Sequence, residues 1–140
     1  MTIKIAFASH DRQQVNQHFG VAEALVFYEV EANHVQLVEV VEFTTARMDG
    51  NEDKLATKIA LLEGCAAVYC QAIGGSAIQQ LLAHHIQPIK VENNKSIKEL
   101  LEELQHHLRS DNPPAWLSKY FKRQALTDRF ASMAAEGWQE

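Results

Sequence analysis

Two cysteines, Cys65 and Cys70, stand in 140 residues, too few for a disulfide framework, and in a reducing compartment they are thiols free to pack in a core or to ligate. No apolar run approaches the roughly 20 residues that span a bilayer. Met1-Thr2-Ile3-Lys4 enters an alternating pattern directly, without the apolar centre of a signal peptide, so a cytoplasmic protein with no membrane partner is expected. Thirteen lysines and arginines face 18 aspartates and glutamates, a net charge of −5, and no dense basic block occurs. Binding a phosphate backbone needs cations, so nucleic acid is not an expected partner. Also missing are a Gly-x-Ser-x-Gly elbow, a Walker loop, a His-Glu-x-x-His pair and a Cys-x-x-Cys pair. Residues 3–9 hold no acid, which removes the inward carboxylate that a two-metal nuclease needs on its first strand. These absences argue against an enzyme.

What remains is the composition of one globular domain, 46% hydrophobic and 22% charged. Ile3, Ile5 and Phe7 alternate with Lys4 and Ala6 before Ser9-His10-Asp11-Arg12 turns polar, which predicts a strand over 3–9 and then a loop. The runs 24–31 and 35–43, parted by Glu31-Ala32-Asn33-His34, predict an antiparallel hairpin. Helices then alternate with strands. Asn51-Glu52-Asp53 starts a helix with Leu55, Ile59 and Leu62 on one face and a stop at Gly64. Residues 66–71 read as a short buried central strand. After Gly74-Gly75-Ser76, the residues Ile78, Leu81 and Leu82 fit a short helix, and 86–91 a last strand that Pro88 places near an edge. Ser96 and Glu99 form a capping box ahead of Ile97, Leu100, Leu101, Leu104 and Leu108.

This order predicts an α/β, ribonuclease-H-like three-layer fold with a mixed five-stranded sheet. Strands one, three, four and five would then open on one edge, where the loops 10–20, 44–51, 71–76 and 92–96 meet and where open sheets hold ligands. A composition break falls at Arg109-Ser110-Asp111-Asn112-Pro113-Pro114. Residues 1–108 carry 8 basic and 14 acidic residues, while residues 109–140 carry 5 and 4 and hold five of the eleven aromatics, Trp116, Tyr120, Phe121, Phe130 and Trp138. The division is therefore a domain over 1–108 and a helical C-terminal extension over 109–140, read as one or two short amphipathic helices too small for a core of their own.

Four features bear chemistry. His18, ahead of Phe19 and Gly20 in the first loop, is a candidate ligand or acid/base on the open edge, or a surface loop residue. His10 is a possible second donor there. Cys70 ends the central strand as a soft donor or a buried small hydrophobe, while Cys65 is read as structural. Gly74, Gly75 and Ser76 let backbone approach a ligand at a helix start that favours an anion, although paired glycines also make ordinary turns. His84-His85 and His106-His107 fall near helix C-termini, where solvated caps are expected.

Val15-Asn16-Gln17-His18-Phe19-Gly20, Asp49-Gly50-Asn51-Glu52-Asp53-Lys54-Leu55, Leu61 through Gln71 and Gly74-Gly75-Ser76-Ala77 together resemble the dinitrogenase iron-molybdenum cofactor-binding family. The likeness extends through Pro113-Pro114-Ala115-Trp116-Leu117 and Asp128-Arg129-Phe130 to Glu136-Gly137-Trp138, nearly the whole chain. It implies a non-catalytic carrier that transiently binds the iron-molybdenum cofactor or its iron–sulfur precursor, with nitrogenase cofactor assembly proteins (scaffold and precursor-synthesis proteins) as partners, and a monomer is expected. It also implies the ribonuclease-H-like fold. A histidine in the loop after the first strand serves cluster binding in that family, and the matching position is His18, with Phe19 and Gly20 beside it. His10, Cys70, Gly74, Gly75 and Ser76 complete the expected site, and His18 and Cys70 are the metal donors. A soft, anionic cluster held by few protein ligands suits transient custody. Two alternatives compete: a metal-dependent hydrolase using Asp11, His18 and Asp49, and an interaction module whose aromatic tail docks a partner while the sheet edge binds nothing.

Overall fold

The structure is a computed structural model and describes residues 2–43, 52–92 and 95–137. Asp49, Asn51 and Trp138, with the rest of the 44–51 loop, lie outside the described residues. Five strands, β1 (Ile3–Ala8), β2 (Ala24–Glu31), β3 (His34–Glu42), β4 (Ala67–Cys70) and β5 (Gln87–Lys90), form one sheet in the order β3-β2-β1-β4-β5. β1 pairs antiparallel with β2 and β2 with β3, while β4 runs parallel to both β1 and β5. The hairpin, the buried central strand and the edge strand carrying Pro88 are thus where the sequence places them. β4 is buried throughout, as a short apolar strand flanked by parallel neighbours must be. Between Phe27 and Tyr28 the register of β2 against β3 shifts, leaving Val38 as the extra residue of a bulge.

Alternation sorts the side chains to two faces. Ala6, Ala8, Leu25, Phe27, Val68 and Cys70 join one buried cluster with Ile59 of α1 (Glu52–Leu61), Leu62 just beyond its end, and Ala77 and Leu81 from α2 (Gly75–Ala83). On the other face Phe7 stacks on Tyr69 at 5.0 Å and meets Tyr28 edge-on at 5.8 Å. There α3 (Ile97–Arg109) packs on β2, burying Ile97, Leu100, Leu101 and Leu104. Ser96 caps α3: its Oγ accepts from the Glu99 N–H at 3.0 Å, and its hydroxyl donates to the Glu99 carboxylate at 3.2 Å. Such a cap contributes about 1 kcal/mol.

The chain divides into two compact units, Met1–Ser110 and Asp111–Glu140. Among its described residues the second holds one helix of 23 residues, α4 (Ala115–Gly137), longer than the one or two short helices expected. Its start follows Pro113-Pro114, as expected where a proline precedes the first turn. Leu126 and Phe130, four residues apart on one side of α4, are exposed. Among the described residues no helix is long and apolar enough to cross a membrane.

Candidate functional site

The C-terminal ends of β1, β3, β4 and β5 share one edge of the sheet. The connection from β1 to β2 crosses it with backbone ties and side-chain latches in turn. Buried Ser9 accepts the Arg12 N–H at 2.8 Å and donates to Asp11 Oδ1 at 3.3 Å. That oxygen also accepts the Gln13 and Gln14 N–H groups at 2.9 and 3.0 Å, an Asx-type turn. The two amides hold the Asp11 carboxyl below its ordinary 3.8. Arg12 takes a left-handed φ of 66° and donates to Glu42 at 3.0 Å.

Beyond the turn the chain runs between two neighbours. On one side the Val15 N–H donates to Lys95 O (2.9 Å) and the Ile97 N–H to Gln13 O (2.8 Å). On the other, the Gln71 N–H donates to Gln17 O (2.9 Å) and the Phe19 N–H to Ala72 O (2.8 Å), so that His18 and Ala72 form a parallel bridge. Asn16 Oδ1 accepts the His10 N–H and Gln17 Oε1 the Glu23 N–H, both at 2.9 Å. Val15 and Phe19 are fully buried. In Val15-Asn16-Gln17-His18-Phe19 two side chains anchor, two latch, and the His18 imidazole is left exposed.

Directly after His18 comes a 3-10 turn, Phe19–Val21. Beneath it lies a residue that the sequence reading missed. Lys58 of α1 is 1% exposed, and its Nζ donates to Gly20 O at 2.9 Å and to Phe19 O at 3.3 Å while lying 5.0 Å from the Phe43 ring centre. The signal was present: Leu55, Lys58, Ile59 and Leu62 follow the i, i+3, i+4, i+7 spacing of a buried stripe, with Lys58 in one of its apolar slots.

The glycine turn adjoins His18 through Ala72. Gly74 caps α2 in extended conformation, with its carbonyl accepting the Ile78 N–H at 3.0 Å. Gly74, Gly75 and Ser76 are exposed, and a Cβ on either glycine would meet nothing within 4 Å, so the protein's own packing leaves that approach open. His10 is exposed on the same loop, Nδ1 3.5 Å from Glu23 Oε1. Cys70 is elsewhere: it is fully buried in the cluster facing α1 and α2, and loss of solvation pushes its thiol up to about 11. Burial pushes Cys65 up to about 12. The sequence could not separate donor from core residue at Cys70, because both lie at the end of a strand. Among the described residues no three His, Cys, Asp or Glu side chains converge as a metal cage.

Residues 1–107 match the family model described as dinitrogenase iron-molybdenum cofactor. The chain is 53% identical over 140 residues to Protein NifX of Azotobacter vinelandii, covering 99% of this chain and 88% of that one. To Protein NifX of Herbaspirillum seropedicae it is 38% identical over 122 residues, 86% and 83% of the two chains. Protein NifY of Azotobacter vinelandii is 28% identical over 118 residues, 84% of this chain and 48% of the larger relative. Among solved structures, PH0822 aligns with a TM-score of 0.58 at 24% identity over 81% of this chain and 97% of that one. A Methanocaldococcus jannaschii protein aligns at 0.54 and 14% identity over 81% and 99%. These two likenesses concern the fold. With a family match across the whole sheet and NifX identity that runs on through α4, the chain belongs to the dinitrogenase iron-molybdenum cofactor family.

Proposed function

We propose that the protein is a non-catalytic carrier that takes up the iron-molybdenum cofactor or its iron–sulfur precursor and passes it between nitrogenase cofactor assembly proteins, on a ribonuclease-H-like frame. The observation that carries this is the exposed His18 imidazole on a loop bonded along both flanks. A neutral imidazole is a competent ligand for a soft cluster. A small set of protein ligands, with backbone N–H groups at the start of α2 facing the anionic cargo, holds it without caging it. His10, exposed on the same loop, serves as the second donor. Cys70, buried and protonated at neutral pH, supports the site by packing. Asp11 fits poorly as a hydrolytic metal ligand, since Oδ1 already takes two backbone N–H groups. In the second unit, Leu126 and Phe130 offer apolar anchors to an assembly protein.

Anaerobic incubation with extracted cofactor, followed by gel filtration and iron measurement, tests the reading. His18→Ala should bind several-fold more weakly while its stability stays within about 0.5 kcal/mol of the parent. Unchanged cluster affinity in a folded His18→Ala protein removes His18 from the site.

A further inference from the structure

Lys58 occupies a place that packing alone would give to an apolar residue. A lysine inside a stripe made by Leu55, Ile59 and Leu62 gives up the hydration of its ammonium, a cost that a methionine in the same slot would not carry. Among the groups it holds are the carbonyl oxygens of Phe19 and Gly20, the two residues that follow His18. The ring of Phe43 lies against the same ammonium, a favourable cation–π arrangement when desolvated.

We infer that Lys58 is a positioning residue for His18: its ammonium turns two successive carbonyls of the 3-10 turn inward and thereby fixes the direction in which the imidazole is offered. A carbonyl oxygen carries partial negative charge. Facing α1, the two oxygens are withdrawn from the surface an anionic cluster must approach; facing outward, they would repel it. Charge-assisted hydrogen bonds to the backbone also hold more strongly than neutral ones, so the turn keeps its shape as cargo arrives and leaves. The cargo half of this inference rests on the carrier reading, whereas the positioning of His18 does not.

The test compares the full chain with Lys58→Met, which fills the slot without charge, and Lys58→Arg, which keeps charge and donors. Without any cluster, amide exchange at residues 19–21 should quicken about tenfold in Lys58→Met while the sheet amides keep their rates. Modification of His18 by diethyl pyrocarbonate, followed by peptide mass spectrometry, should change rate while His34 and His84 do not. Anaerobic titration with extracted iron-molybdenum cofactor should then show affinity lowered about tenfold in Lys58→Met, with Lys58→Arg close to the parent. If Lys58→Met does not fold, Lys58→Gln, which retains a donor but no charge, takes its place. Parent-like exchange and His18 reactivity in the uncharged variant overturn the inference, as does loosening spread evenly over α1 and the sheet. A loosened turn in a family of proteins that all fail to take up cofactor, the parent included, would sink the carrier reading and leave the positioning of His18 standing.

Discussion

The two ends of the sheet are built differently. At the end away from His18 the connections are short, and two of them close on a residue of left-handed φ, Gly64 and His85. Two residues join β2 to β3, and the turn is held by α3, whose Gln105 side chain donates to Glu31 O and Arg109 to Ala32 O. Gly64 closes α1 with a φ of 90°. At the end of α2, the His85 N–H donates to Leu82 O and the Ile86 N–H to Leu81 O, a Schellman closure with His85 at φ 64°. At the His18 end, a fifteen-residue connection from β1 to β2 is organised by the side chains of Ser9, Asp11, Asn16, Gln17 and Lys58. Histidine shows the contrast best: His85 supplies a backbone conformation at one end, and His18 an exposed ring at the other. Side-chain latches are the way to make a long loop rigid without using its outward face.

The largest expected effect comes from removing the anchor next to the ligand. Phe19→Ala should cost about 3–5 kcal/mol, as for other buried phenylalanines, read by urea unfolding. A loss below 1 kcal/mol would mean that the loop is not seated in the core and that the two ends are less different than described. At the far end the effects should be smaller, and those of the two substitutions there differ in sign from each other. Gly64→Ala should destabilise by about 1–2 kcal/mol, because only the left-handed φ opposes it and no atom crowds its Cβ, whereas His85→Gly should stabilise by about 0.5 kcal/mol. Neither should alter cofactor uptake. If His85→Gly weakens it, the ends are coupled. The smallest effect is Asp11's. Its carboxyl is held below 3.8 in the folded state, so the order it lends the loop is complete above that value and fades as pH falls through the lower folded one. Amide exchange at Gln13 and Gln14, followed from pH 5 to pH 2.5 and compared with Asp11→Asn, should show this. A loop whose protection in the parent does not change over that range would mean that the turn does not depend on the charge.

Much of the frame was legible because it rests on local rules. The β-branched run 24–31 is a strand with those limits, Ser96 caps a helix, and Pro88 sits on an edge strand. His18 was legible as a loop residue on the open edge, although the bonds that steady it were not. They depend on Asn16 and Gln17 standing in for backbone, and on a lysine whose partners lie 38 and 39 residues away in sequence. Periodicity reports which face a position occupies, not whether a charged residue there will be buried. For the same reason Cys70 could not be assigned: alternation gives its face, and only the packing of α1 and α2 over that face closes it off. The unbroken run of α4 was hidden because its apolar residues do not keep to one stripe along its length.

The bulge at Val38 bears on how the β3 edge of the sheet is protected. β3 is an edge strand of nine residues, with Leu37 52% and Val38 43% exposed, the kind of edge that templates strand-to-strand aggregation. The extra residue breaks its hydrogen-bonding rhythm near the middle and flips the faces on either side. An incoming strand in regular register can match the residues before the bulge or those after it, but not both, and Glu39 and Glu42 stand as charges beyond the break. The edge is thereby divided into two pieces, each shorter than the roughly six residues of a steric-zipper segment.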